Sequence, residues 1–337
     1  MSQSINTEAT AAYAEPVTDW SQEERFIYHA GEEGITLNEE ATADAIEKAL
    51  EQGEFVCTVE ATVNAVLPGG NIDDLKAATS FIASYTTKFS ARRDDEVKQN
   101  RKFNIQKAAD IINGNTIQPG EEWSFNTVVG PRTYELGWKG ANGISGGKEY
   151  TIQAGGGICQ VSTTLYNALL CANMEIVDRR AHTIPSDYVP VGLDATVDTR
   201  GIDFVWKNNT DMPAYIFAKV ENVEGSSSRH TITVYVYGKP LPEGVTYQSR
   251  NEIIEERSRQ DEAIYTNDAS IPTGYQLERV QGHKYYVAEA YQDKYVDGKL
   301  AESKLLYTDK YKGNPPEVSI GLSLIHISEP TRHSLIS

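Results

Sequence analysis

Ala154-Gly155-Gly156-Gly157-Ile158-Cys159-Gln160-Val161-Ser162-Thr163-Thr164-Leu165-Tyr166-Asn167-Ala168 is the densest signal in this chain of 337 residues. Three consecutive glycines permit positive φ and close backbone approach. Beyond them Val161, Leu165, Ala168, Leu169 and Ala172 recur at helical spacing, so a helix is expected to begin at or near Cys159 with those residues as its buried face. A cysteine at a helix start meets free N–H groups and the positive end of the macrodipole, both of which favour a thiolate. The same N–H groups, with the backbone from Gly157 to Gln160, could hold an oxyanion. Gly156, Gly157 and Gln160 are therefore candidate substrate-binding positions. Ser162 and Thr163 add hydroxyls in the first helical turn, which serve either a substrate or local backbone groups.

The other cysteines read differently. Cys171 lies 12 residues past Cys159, about 18 Å along a helix rising 1.5 Å per residue. Bonded cysteines need Cα atoms within ~7 Å, so Cys171 is read as core. Cys57 falls on the apolar phase of an alternating stretch from Phe55 to Val63 and is read as a small buried hydrophobe. Three cysteines in all exclude a disulfide-stapled scaffold and an all-cysteine zinc site.

Downstream of the helix, Glu175-Ile176-Val177 is expected as a strand leading to Arg180-Ala181-His182. A helix opening on cysteine, followed by a strand or loop bearing histidine, is the order of papain-like thiol enzymes. An imidazole in hydrogen-bond reach raises the thiolate fraction, and a third polar group orients the ring. Asp194 and Asp198 are both candidates for that group. Cys159 and His182 supply only two soft ligands, short of a zinc set, so neither a metal nor a cofactor is expected. Upstream, Arg132 with Trp123 and Trp138 is read either as a sugar or carboxylate platform or as ordinary packing of the two indoles.

Working outward, charge divides the chain. Lys plus Arg is 31 and Asp plus Glu is 48, a formal charge of -17. Sequence-independent nucleic-acid binding needs basic surface, so nucleic acid is not an expected partner. Residues 1–74 hold 16 acidic and two basic residues, so most of the charge belongs to one N-terminal module. Within it, Ala43, Ile46, Ala49 and Leu50 predict a helix and the Phe55–Val63 alternation a strand. Residues 240–321 are expected to form a linker, or an irregular strand, followed by a β-rich region in which Asp297-Gly298 makes a hairpin turn. His230 and His283 are read as surface residues. No apolar run approaches the ~20 residues that span a bilayer.

The segment from Ala83 to Gly238 resembles the VanW domain family of bacterial cell-envelope proteins. The matching stretches are Arg101-Lys102-Phe103-Asn104-Ile105, Phe125-Asn126, Gly130-Pro131-Arg132-Thr133, Gly155 to Ala168, Arg180-Ala181-His182, Tyr188-Val189-Pro190, Asp194 to Val197, Asp203-Phe204 and Lys207 to Thr210. The first segment is similar to the YoaR-type peptidoglycan-binding module, and the last region is loosely similar to G-five domains. The resemblance implies an extracytoplasmic protein of a mainly Gram-positive envelope, with peptidoglycan or its precursors as partner. Its membrane attachment would be through an anchor absent from this chain. It also implies a role beside cell-wall remodelling or glycopeptide resistance.

The expected architecture is α+β and multidomain: residues 1–74 a partial peptidoglycan-binding module, 75–239 a central mixed helix/sheet VanW-type domain, 240–321 a linker and β-rich extension. Residues 322–337 resemble a translated sequencing adapter and are expected to be a non-native tail. The leading functional reading is envelope binding without chemistry. The alternative is a Cys-His amide hydrolase or acyl transferase acting on peptidoglycan stem peptides.

Overall fold

The computed structural model describes residues 5–54, 58–67, 69–145 and 149–323. Cys57 and all but the first two residues of the expected non-native tail lie outside them.

The centre of the molecule is an antiparallel four-stranded sheet. Its strands are β1 (Ser80–Ser90), β2 (Asn115–Ile117), β3 (Ala214–Asn222) and β4 (Arg229–Gly238), in the spatial order β1-β4-β3-β2. The alternation of Thr231 to Tyr237 sets the register. Val234 pairs with Tyr85 on one side and Ala218 on the other, and Ile232, Val234 and Val236 are fully buried. Two helices cover that face. Helix α1 (Glu96–Ile112) is capped by Asp95, which accepts from the Lys98 amide at 3.0 Å. It buries Ile105, Ala108, Ala109 and Ile112, which recur at helical spacing along one face.

Helix α2 (Ile158–Cys171) starts one residue before Cys159. Its cap is Gly157, at φ +102°, where a side chain would also meet the Arg101 chain at 2.7 Å. The expected one-sided burial is exceeded: Ser162, Thr163, Thr164 and Asn167 are fully buried too. The reason is position. The helix runs between the sheet and the loop around Asp194–Val197, so no side faces water. Burying hydroxyls and amides without partners is costly, and each of these has one. Thr164 bonds Thr87 at 2.8 Å, and Asn167 donates to the Leu193 carbonyl at 2.8 Å.

The C-terminal region is longer-stranded than its charge suggests. β5 (Val245–Arg257), β6 (Tyr285–Val296) and β7 (Lys299–Tyr311) form an antiparallel ladder in sequence order. Asp297 and Gly298 make the expected hairpin with φ of +50° and +73°, the signature of a type I′ turn. The stretch read as a linker or irregular strand thus holds a strand of 13 residues. Its outward positions carry Arg250, Glu252, Glu255 and Arg257, which pair by charge rather than by apolar alternation.

The N-terminal module is looser. The helix Glu39–Glu51 forms behind an Asn38 cap, yet none of its residues is buried. Of the strand expected over 55–63, residues 55–57 lie outside the described residues; a strand is described at Val63–Val66, paired with Gly34–Leu37. Phe26 is the module's main anchor, meeting Tyr215, Phe217 and Tyr237 edge-on across the outer face of the central sheet. The architecture is α+β and multidomain, with a strand-rich C-terminal region.

Candidate active site

Cys159 sits in the first turn of α2, part-exposed at the floor of a cleft, with His182 lining the same cleft near enough for each group to shift the other's ionisation. The sulfur also lies 3.3 Å from the Val197 carbonyl oxygen and 3.6 Å from the Thr196 hydroxyl. Burial by itself would push the thiol up. The hydrogen bond and charge of His182, with help from Val197 and Thr196, more than offset this and bring Cys159 down to about 7. Burial would likewise lower His182, but Asp194 and the thiol together raise it to about 10. The pair is therefore set to exist as thiolate and imidazolium near neutral pH.

Asp194 is the third group. Its Oδ2 takes the His182 Nδ1 and, at 2.7 Å, the His182 backbone amide. That leaves Nε2 of the ring for the thiol. Burial would push the Asp194 carboxyl up, and His182, Arg179 and Tyr311 instead hold it down at about 2. Asp198 does not reach the imidazole. Its carboxylate accepts from the backbone of Arg200 and Ile202, at 2.7 and 3.1 Å, and closes its own loop. The choice left open between the two aspartates falls on Asp194 because a carboxylate already bonded to local amides is turned away from the ring.

Three residues that sequence reading missed complete this end of the site. Arg179, fully buried at its side chain, bonds the Asp194 carbonyl at 2.6 Å and the Gly192 carbonyl at 3.0 Å, with Asp194 Oδ1 at 3.4 Å. Its other nitrogen pairs with Asp309. The Tyr311 hydroxyl donates to Asp194 Oδ1 and accepts from the Gly192 amide at 2.9 Å. Asp309 and Tyr311 are two positions apart on β7, hence on one face of the strand. That spacing is the one sequence signal for them, and nothing in it points to a residue over 100 positions away.

The remaining expected residues divide. Arg132 lines the cleft with its guanidinium held by Asn126 Oδ1 at 2.7 Å and the Gly130 carbonyl at 3.1 Å. Asn126 is itself fixed by Asp203, which accepts its amide at 2.9 Å. Trp123 and Trp138 do not make a platform. They are 5% and 2% exposed, with their indole N–H groups given to Asn115 and to the Pro131 carbonyl. Both rings serve the core because the short segments carrying them lie under the helices.

Ser162 and Thr163 are likewise turned inward, onto the Ala195 backbone. Gln160 is fully buried and joins Thr87, the Lys88 carbonyl and Arg101. Gly156 is needed for close approach, since a Cβ there would lie 2.3 Å from the Ala141 carbonyl oxygen. Of the first-turn amides, Ile158 and Gln160 are bonded back to Gly155 and Gly157. Among the described residues the Cys159 amide is left for an oxyanion. His230, read as surface, is buried and stacked on Phe89.

The cleft above Cys159 has a volume of about 1110 Å³. Its walls come from β1, α1, the Gly140–Ser145/Glu149–Ala154 hairpin, the loops carrying His182 and Asp198, and Gln281 and His283 of the C-terminal region. Among the described residues there is no cluster of three or more His, Cys, Asp or Glu arranged to hold a metal ion, and no helix is long and apolar enough to cross a membrane.

A family model described as "VanW like protein" matches residues 100–231. The chain is similar to the "Uncharacterized protein YoaR" of Bacillus subtilis (strain 168), 42% identical over 142 residues, 42% of this chain and 45% of that protein. It is also similar to the "Vancomycin B-type resistance protein VanW" of Enterococcus faecalis (strain ATCC 700802 / V583), 27% identical over 220 residues, 64% of this chain and 70% of that protein. The chain thus spans less than half the length of YoaR. Two solved structures share a local likeness covering 23% of the chain: an IgA1 protease G5 domain (15% identity, 93% of that chain, TM-score 0.17) and HP0197-G5 (23% identity, 95% of that chain, TM-score 0.15). The central segment is VanW- and YoaR-like.

Proposed function

We propose that this chain, whose VanW-like segment carries both Cys159 and His182, is a thiol enzyme of the cell envelope that cleaves or transfers acyl groups of peptidoglycan stem peptides. The observation that carries the reading is Cys159 and His182 lining one cleft, with the His182 ring hydrogen-bonded to Asp194 behind it. A thiol brought down to about 7 beside an imidazole brought up to about 10, in a cleft, is the pattern expected of a nucleophile and its acid–base partner. The envelope location and the peptidoglycan class rest on the family resemblance and on the resistance named for the enterococcal relative.

The steps follow from the charges. The Cys159 thiolate attacks the acyl carbon of a stem-peptide amide. The carbonyl oxygen takes the electron pair and is met by the Cys159 amide. As the tetrahedral species collapses, the C–N bond breaks and the His182 imidazolium gives its proton to the departing amine. A thioester remains. Water or an acceptor amine then attacks it, losing its proton to the now neutral His182, and the C–S bond breaks to release Cys159 as thiolate, restoring the ion pair. Asp194 holds the ring and stabilises its charge throughout.

The test is incubation with a panel of muropeptides, followed by mass spectrometry of both products and protein. Turnover with a transient acyl mass on the peptide containing Cys159, absent in Cys159→Ala, is the expected result. Binding of muropeptides with no turnover across several stem types would return the protein to the non-enzymatic reading.

A further inference from the structure

We infer that the cleft selects an acyl donor bearing a free carboxylate, held by a cationic wall formed by Lys88, Lys98, Arg101 and Arg200. This rests on the thiol-enzyme reading and adds the charge of its substrate. The chain as a whole has 31 basic against 48 acidic residues. Among the described residues lining the cleft the balance is reversed: Lys88, Lys98, Arg101, Arg132 and Arg200 face only Asp187 and Asp198. Of the two carboxylates, Asp198 is occupied by its own loop and lies 3.7 Å from Arg200. Lys98 also lies 3.5 Å from Asp95, a part-exposed pair and hence a weak one.

The wall is built rather than incidental. Gln160 is buried next to the nucleophile, accepting from Arg101 at 2.6 Å and donating to the Lys88 carbonyl at 3.0 Å. It ties α1 to β1 one residue from Cys159, with the Arg101 guanidinium at its side-chain oxygen and the Lys88 backbone at its side-chain nitrogen. Lys98 follows on α1 three positions before Arg101, on the same face.

A low-dielectric cleft lined by one sign of charge concentrates the opposite sign. The volume of about 1110 Å³ exceeds the roughly 300–1,000 Å³ of small-molecule pockets, which suits several residues of a peptide. The anion that a peptide donor carries is a carboxylate.

The test compares alkylation of Cys159 by iodoacetate and by iodoacetamide, read by mass spectrometry on the peptide holding it. These reagents differ in charge and hardly in size. The rate ratio, acetate over amide, is expected to exceed that of free cysteine by about tenfold at low salt, from several charges acting through water, and to shrink as salt screens them. In Lys88→Met/Lys98→Met/Arg200→Met, with unchanged melting temperature, the ratio should fall about fivefold. A ratio equal to that of free cysteine, or one unmoved in the triple variant, overturns the inference.

Protection from iodoacetamide by a short peptide with a free C-terminal carboxylate, compared with its carboxamide and with inorganic phosphate, tests the ligand class. Protection by the carboxylate form alone is expected. Equal protection by the carboxamide or by phosphate overturns it. Neither measurement needs turnover, so a muropeptide panel left unchanged would remove the enzyme reading while leaving the charge selectivity to stand or fall by itself.

Discussion

Helix Glu39–Glu51 and helix α2 are nearly equal in length, at 13 and 14 residues, and opposite in placement. The first has no buried residue, and its Ile46 and Leu50 are each 47% exposed. The second buries 12, including a serine, two threonines, an asparagine and a glutamine. A helix with one water-facing side can be read from its apolar stripe. A helix with none needs its polar groups matched from elsewhere, and in α2 most partners come from β1, the loop at Ala195 and the C-terminal ladder, while Tyr166 Oη and Asn167 Oδ1 are left without a hydrogen bond among the described residues. Function sits where polar groups have been buried at this cost.

The largest expected difference between the two helices lies in the chemistry. Cys159→Ala should remove acyl transfer by at least about a thousandfold, as loss of a nucleophile does. Measured turnover close to that of the unmodified protein would dissolve the contrast. Asp194→Asn should come next, with a drop of about a thousandfold or more, because an amide offers the wrong hydrogen-bond character to the ring. The pH profile of turnover checks it.

In the unmodified protein the reactive pair requires a deprotonated thiol and a protonated ring. Rate should therefore rise through pH 7 and fall through pH 10, the values to which Cys159 and His182 are brought. In Asp194→Asn the ring loses its anion, its protonated form is weakened, and the window narrows from both sides. A profile unchanged from the native one would sink the assignment of Asp194.

Arg179→Met tests the polar support behind α2. It leaves Asp194 and Asp309 buried without their shared cation, and breaking such a pair costs about 3–5 kcal/mol. Denaturant midpoints should show this. Leu165→Ala in α2, at a fully buried site, should cost about 2–5 kcal/mol. Tyr311→Phe removes one donor to a charged carboxylate, worth about 1.5–3 kcal/mol. It should slow turnover roughly tenfold while the protein stays folded, which circular dichroism verifies. Leu50→Ala, its counterpart in the exposed helix, should fall within about 0.5 kcal/mol of zero. A Leu50→Ala loss rivalling that of Leu165→Ala would mean the N-terminal module buries more than its own contacts indicate.

What sequence could supply follows the same division. The glycine run, the cysteine at a helix start and the Asp297-Gly298 turn are local, since each follows from φ preference or spacing within a few residues. His182 and Asp194 were legible as candidates because loop order places them just beyond the helix. The selection of Asp194 over Asp198 was not, because both lie in one short segment and differ only in where backbone amides point.

Trp123 and Trp138 misled because an indole packs in a core as readily as it stacks on a ligand. Arg179, Asp309 and Tyr311 stayed hidden for a different reason. Their bonds to Asp194 and to one another close loops of 15 to 130 residues, and no periodicity encodes which distant strand will meet a given loop.

The Tyr311 contact also has a consequence in time. Chains are made from the N-terminus, so Cys159, His182 and Asp194 all exist well before β7 does. Until Tyr311 and Asp309 are added, Arg179 has no distal carboxylate and Asp194 lacks one of its donors. The carboxylate that orients His182 thus gains its last donor, and Arg179 its second carboxylate, only when the final strand of the ladder closes behind them.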